Sequence, residues 1–273
     1  MNLEKGHSTR ILSIDIMRGF TLLLMLFVND LYEPGVPFWL LHAPANVDSM
    51  GLADWVFPGF LFMVGVSVPY AIRSRLHNGE SELRLMGHII IRTISLLLIG
   101  VYMVNIERLN EALTGMNKYC WAILLYLSIF LIWNNYPRRT GRPRFFLCLK
   151  GLGLITMIVL AAVFKAGEPG KVLWLATSWW GILGLIGWGY FVATLAYLLF
   201  GERKIPLLFI WGFFIGLNIL SQLGILTWSG LFGSVFNVVL EGSIPSIVLA
   251  GLVVGVLIRS EKKPSKKICF LLV

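Results

Sequence analysis

The chain has 273 residues, of which 57% are hydrophobic and only 14% charged, and its formal net charge is +9. A soluble domain carries roughly a quarter charged residues, so this composition excludes an ordinary globular enzyme and points to an integral membrane protein. The mean hydropathy of +0.80 agrees, and the basic excess sits in short loops between apolar runs, which is a topology signal and leaves no nucleic-acid partner to expect.

The N-terminus is short and basic before an apolar run, as in a signal peptide. That run contains Asp15 and Arg18, is too long and lacks a small-residue cleavage site, so it reads as a retained first helix. With this one as the first, eight spans occur in order, at roughly 11–31, 51–72, 88–106, 119–135, 145–164, 178–200, 205–223 and 243–259. Each is near the ~20 residues a bilayer requires, and each must be helical because open strands cannot cross lipid. The expected fold is an all-α polytopic transmembrane bundle. Loops are short, so residues 1–273 read as a single transmembrane domain. The chain ends in KKICFLLV, the start of a truncated ninth helix or a segment lying at the interface.

Orientation follows from Lys and Arg. Alternate loops beginning with the N-terminus hold 18 of them, including PRRTGRPR at 137–144, and the other loops hold 4. Such asymmetry places the N-terminus in the cytoplasm and the loop after the first span on the outer face. Cys120, Cys148 and Cys269 form no CxxC pair and no disulfide framework. No nucleotide-binding glycine motif, metal-ligand spacing or GxSxG elbow occurs, so no metal is expected.

The ionisable groups inside the first two spans are costly in lipid and are therefore the functional candidates. On a helical wheel Asp15, Arg18 and Asn29 share one side of the first span, with Arg18 and Asn29 ~16 Å apart along the axis. A purely structural reading has Asp15 and Arg18 neutralising each other and Asn29 bonding between helices. Beyond this span comes a loop of about twenty residues containing His42, Pro44, Asn46 and Asp48, bounded by Trp39 and Trp55. Its fixed ends and aromatic content suit a folded cap. A neutral imidazole there can take a proton from an amine or hydroxyl, or attack a carbonyl itself. Asp54 opens the second span, either as an N-terminal cap or as the group that orients His42. Pro58-Gly59 would loosen the helix beneath it. Later, WWGILGLIGWGY (179–190) reads as close helix packing, with a backbone-lined cavity as the alternative, and Pro245 fits the first turn of the last span.

SIDIMRGFTLLLMLFVN, LLHAPANVDSMGLADWVFPGFLFMVGVSV, WWGILGLIGWGY and GSIPSIVLAGLVVGVL together resemble the heparan-α-glucosaminide N-acetyltransferase family of membrane acyltransferases and its bacterial relatives. The resemblance runs from about Ser13 to Val256 and is specific in combination. It implies a bacterial inner-membrane enzyme that moves an acetyl group from cytoplasmic acetyl-CoA to an amino sugar or glycan at the outer face. The family's active histidine matches His42, its active-site asparagine matches Asn29, and the aspartate heading the next helix matches Asp54. A homodimer is also implied. Arg18, with Asp15 beside it, would face the CoA end, and the stripe of the first span would line a path for the pantetheine arm. Asn29 would donate to the developing oxyanion. Two departures stand out: family members usually have further spans beyond the eighth, and the stretch NDLYEPGVPFWLLH is this chain's own. The competing readings are a transporter whose polar stripe passes a solute and a non-catalytic membrane subunit.

Overall fold

A computed structural model describes residues 12–44, 46–137, 143–228 and 230–260. Among them the chain forms α1 (Leu12–Asn29), α2 (Leu52–His77), α3 (Glu82–Ile106), α4 (Glu111–Thr114) and α5 (Lys118–Trp133). These are followed by α6 (Pro143–Val163), the hairpin β1 (Ala166–Glu168) and β2 (Lys171–Leu173), α7 (Gly181–Phe200), α8 (Lys204–Gln222), α9 (Gly230–Leu240) and α10 (Ser243–Ser260). Seven helical stretches are long and apolar enough to cross a membrane, with Phe232–Ser260 taken as one, and α5 is a shorter apolar helix. The chain is thus an all-α, multi-pass membrane bundle; each of the eight expected spans falls on a helix, the fourth on the shorter α5. The third is longer than expected because its polar first turns, from Glu82, are already helical. KKICFLLV, Lys5, Arg10 and Arg138 to Arg142 lie outside the described residues.

Three small elements had no counterpart in the sequence reading. The hairpin is antiparallel, pairs Glu168 with Lys171, and turns on Pro169-Gly170. Gly170 has φ +99°, the left-handed residue that a Pro-Gly turn demands. Helices α4 and α9 are too short to cross a bilayer and carry no length signal.

The chain packs as two compact units, residues 1–93 with 186–273, and residues 94–185. The second unit is centred on Trp121, Leu125, Met157, Leu160 and Phe164. Its buried polar atoms are satisfied: Tyr102 Oη donates to the Met157 carbonyl at 2.9 Å and Trp121 Nε1 to the Leu160 carbonyl at 3.2 Å. Asn105, wholly buried, donates to the Val101 and Ala176 carbonyls at 2.7 Å each. In lipid such groups have no water to fall back on, so these bonds are obligatory.

The first unit is organised around α2, which packs on α10 over most of its length. Gly251 and Gly255 form a GxxxG pair on α10 and meet the α2 backbone at Phe62 and Val66. Gly65 returns the contact against Val248 and Leu252. Removing side chains lets two helices approach until dispersion and backbone contact hold them, which is how membrane helices associate without a hydrophobic drive. The glycine-rich stretch at 179–190 does the same: Gly189 abuts Val248, and in the second unit Gly184 lies against Gly100.

At one end of the first unit Glu202 accepts from Arg73 of α2 and Arg259 of α10, each at 2.9 Å. Nearby on the sequence, Arg75 reaches Glu80 at 3.2 Å, and Arg92 lies over the Tyr190 ring at 4.7 Å. Asp54 sits at the other end of α2. Twenty-one residues of helix separate it from Arg75, or roughly 32 Å at 1.5 Å per residue, about one hydrocarbon core.

Candidate functional site: the His42–Asp54 cap

The segment between α1 and α2 is a folded cap, as its length and aromatics predict. It contains two single 3-10 turns, Glu33–Gly35 and Phe38–Leu40. Backbone bonds close it: Gly35 N–H to Tyr32, Leu40 N–H to Pro37, Leu41 N–H to Phe38 and Val47 N–H to Pro44, at 2.9 to 3.1 Å. Prolines at 37 and 44 supply fixed φ values and acceptors without spending a donor. The turns carry the chain back to the head of α2, where residues 41–43 run beside Gly51 and Asp54.

Asp54 is the joint. Its Oδ1 lies 2.7 Å from His42 Nδ1. Its Oδ2 accepts from the backbone N–H of Ala43 at 3.0 Å and of Gly51 at 2.9 Å. Asp54 stands at the third position of α2, after Gly51 as N-cap. It closes the first turn in the manner of a capping-box acid, a placement that the helix dipole favours. The alternatives of cap and orienter therefore resolve into both, one oxygen for each.

This geometry fixes the imidazole tautomer. A carboxylate only accepts, so Nδ1 carries the hydrogen, and in the neutral ring Nε2 is the nitrogen with the lone pair. The His42 side chain is 70% exposed while Asp54 is 24% exposed. The carboxylate is thus tucked under the ring. No side chain among the described residues bonds to Nε2, which is open to a partner from outside.

The other candidates lie on α1. Asn29 is its last residue, and Asp15 and Arg18 are in its first two turns. All three are exposed. Arg18 forms no side-chain ion pair or hydrogen bond among the described residues; its carbonyl accepts from Thr21 Oγ1. Thr21 is the buried residue of α1, with Ile14, Met17, Leu24 and Val28 half-buried around it. The packing face thus lies beside the polar stripe, whose residues are exposed. Consecutive spans α1 and α2 run in opposite directions across a bilayer, so the end of α1 that carries Asn29 and the end of α2 that carries Asp54 share a face. The structure joins His42 to Asp54 directly and leaves Asp15, Arg18 and Asn29 unattached to that pair.

Two contributors were not singled out from sequence, the Ala43 amide and Gly51. The signal available was a glycine three residues before an aspartate at a helix start, a spacing that permits a cap.

Comparison with known proteins bears on what this cap belongs to. A family described as a domain of unknown function (DUF5009) matches residues 10–248. Over 102 residues, 37% of this chain, the sequence is 38% identical to heparan-alpha-glucosaminide N-acetyltransferase of Mus musculus, and it is 41% identical over 96 residues, 35% of the chain, to that of Homo sapiens. The matched stretches cover 15% and 14% of those relatives' own lengths. The likeness inferred from the motif series is met by these matches, and the chain belongs to the DUF5009 family, with part of its length similar to heparan-alpha-glucosaminide N-acetyltransferase.

Proposed function

We propose that this protein is a multi-pass acetyltransferase of the bacterial inner membrane. It takes an acetyl group from acetyl-CoA on the cytoplasmic side and delivers it to an amino sugar or glycan on the outer side. The observation that carries the reading is the 2.7 Å bond from His42 Nδ1 to Asp54, with Nε2 left open. Similarity to an N-acetyltransferase supplies the reaction class.

The chemistry follows from the tautomer. As the acceptor amine attacks the thioester carbonyl, Nε2 of His42 takes its proton and Asp54 stabilises the imidazolium. A C–N bond forms, the C–S bond breaks, and the proton passes from His42 to the departing thiolate. In the two-step variant Nε2 attacks the carbonyl first and the CoA thiolate leaves; the amine then attacks the acetyl-imidazole, its C–N bond to Nε2 breaks, and the amine proton passes by way of the freed Nε2 to the thiolate. Either way negative charge develops on the carbonyl oxygen. Asn29, on the same face, donates its amide hydrogen to that oxygen, a contribution of ~3 kcal/mol in comparable sites.

The donor end is the opposite face. Alternate loops hold 18 Lys and Arg against 4, which supports a cytoplasmic N-terminus. Arg18, with Asp15 beside it, begins the exposed stripe of α1 on that side and offers charge-assisted bonds to the phosphates of CoA. The stripe then guides the pantetheine arm toward Asn29. The whole works as one transmembrane domain, as a homodimer in the bilayer. A solute transporter is the second reading, supported by the same exposed stripe.

The test is sided transfer. Purified protein is reconstituted in vesicles with acetyl-CoA on one side only and glucosamine on the other. Acetylated glucosamine appearing across the membrane, with free CoA retained on the donor side, supports the proposal. Solute movement without any acetyl-CoA supports the transporter reading and overturns it.

A further inference from the structure

Gly51 is forced by its surroundings and not by its backbone. Its φ of −88° and ψ of 173° are extended values that any residue adopts. Yet a Cβ built on it would overlap the Leu41 carbonyl oxygen, lie 3.0 Å from the Leu41 carbonyl carbon and 3.4 Å from the Trp39 oxygen. Those obstacles are backbone atoms, so no side-chain rotation relieves them. Leu41 is the residue immediately before His42. The chain at 41–43 is thus gripped from two sides. Gly51 Cα backs Leu41, while Asp54 holds His42 and Ala43 by hydrogen bonds of 2.7 and 3.0 Å. Gly51 also donates its own N–H to Asp54 at 2.9 Å and accepts from the Asp54 N–H at 3.1 Å.

We propose that Gly51 is a positioning residue for His42: the missing side chain sets the separation at which the imidazole meets Asp54. The inference rests on His42 being the reactive group of the proposed transfer. Adding one methyl group must push residues 41–43 away from the head of α2 by more than a hydrogen bond tolerates. Oδ1 then loses Nδ1, and the ring loses both its fixed tautomer and its aim. A misplacement of about 1 Å is enough to cost 10²-fold in turnover at other sites. Gly65, Gly251 and Gly255 meet backbone too, but at the α2–α10 packing and not at the cap. Gly212 of α8 has nothing within 4 Å of its Cβ position, and it serves as the control.

The experiment uses the full chain in detergent, as wild type, Gly51→Ala, Asp54→Asn, their double variant and Gly212→Ala. The first readout needs no turnover. It is the rate at which diethyl pyrocarbonate modifies His42, followed by peptide mass spectrometry. The second readout is turnover, with half-saturating acetyl-CoA measured alongside. The proposal expects His42 modification to slow in Gly51→Ala to the level of Asp54→Asn, with no further change in the double variant. It expects turnover in Gly51→Ala to fall by about 10- to 100-fold, half-saturating acetyl-CoA to stay within about twofold, and Gly212→Ala to match wild type. Two results would overturn it. One is wild-type modification and turnover in Gly51→Ala. The other is effects that add in the double variant, because residues acting through one contact do not add. If wild type transfers no acetyl group while the modification rates change as expected, the acetyltransferase reading fails and the positioning role stands.

Discussion

Asp54 binds His42 and caps its own helix with the same carboxylate: Oδ1 meets Nδ1 at 2.7 Å, and Oδ2 gathers the Ala43 and Gly51 amides at 3.0 and 2.9 Å. The cap and the start of α2 are therefore one unit. Whatever holds α2 in place also holds the imidazole in place.

Asp54→Asn separates the two roles. The asparagine oxygen can still accept from the two amides, which turns its NH2 toward His42. That NH2 only donates, so Nδ1 must become the acceptor and Nε2 the protonated nitrogen. The base is then lost with the fold kept. Turnover should fall by about 10² to 10⁴-fold, by analogy with other histidine–carboxylate pairs. Thermal stability should drop by no more than ~1 kcal/mol, since the asparagine oxygen still accepts from the Ala43 and Gly51 amides. Initial rates and a melting curve on the same sample check both. Near-wild-type turnover would remove Asp54 from the mechanism.

Asn29→Ala removes the amide at the end of α1. If that amide stabilises the oxyanion, turnover should fall by about 10² to 10³-fold with acetyl-CoA half-saturation little changed. Asn29 is exposed and bonds to no side chain among the described residues, so the melting temperature should not move. A large loss of acetyl-CoA affinity with unchanged turnover would instead make Asn29 a binding residue.

Gly251→Val tests the scaffold. A Cβ there would overlap the Phe62 carbonyl oxygen and sit 2.9 Å from its carbon, so α10 must separate from α2. The cost should be several kcal/mol, in the range of overpacked or cavity-forming substitutions. Aggregation on size-exclusion chromatography, or a melt lowered by many degrees, is the expected readout. Gly212→Ala on α8, whose added Cβ meets no atom within 4 Å, should behave as wild type.

Much of this was legible in the sequence, for physical reasons specific to membranes. A helix must be about as long as the bilayer is thick, so spans announce themselves by length, and seven of the eight read from the sequence recur at spanning length, the fourth as the shorter α5. His42 and Asp54 were identifiable as partners by type and place. Their contact was not, because a carboxylate at a helix start satisfies a cap equally well without touching a side chain. The α1 stripe shows a different limit. A helical wheel puts Asp15, Arg18 and Asn29 together, yet only packing reveals that Thr21, on the neighbouring face, is what meets the bundle. The spacing of Gly51 to Asp54 hints at a cap, but its main constraint is a contact with Leu41, ten residues away along a loop whose path the sequence does not specify. Close packing was expected of residues 179–190, whereas the GLVVG pair on α10 and its target on α2 were not read.

The most direct test of the account is acetyl transfer to glucosamine by purified wild type and His42→Ala, with acetyl-CoA binding measured on both. The His42 side chain is 70% exposed, so its truncation should leave folding and acetyl-CoA binding intact. The account predicts that wild type releases CoA and forms acetylated glucosamine, and that His42→Ala binds acetyl-CoA but forms no product. Equal turnover by the two proteins would contradict it, as would a wild type that neither binds acetyl-CoA nor releases CoA.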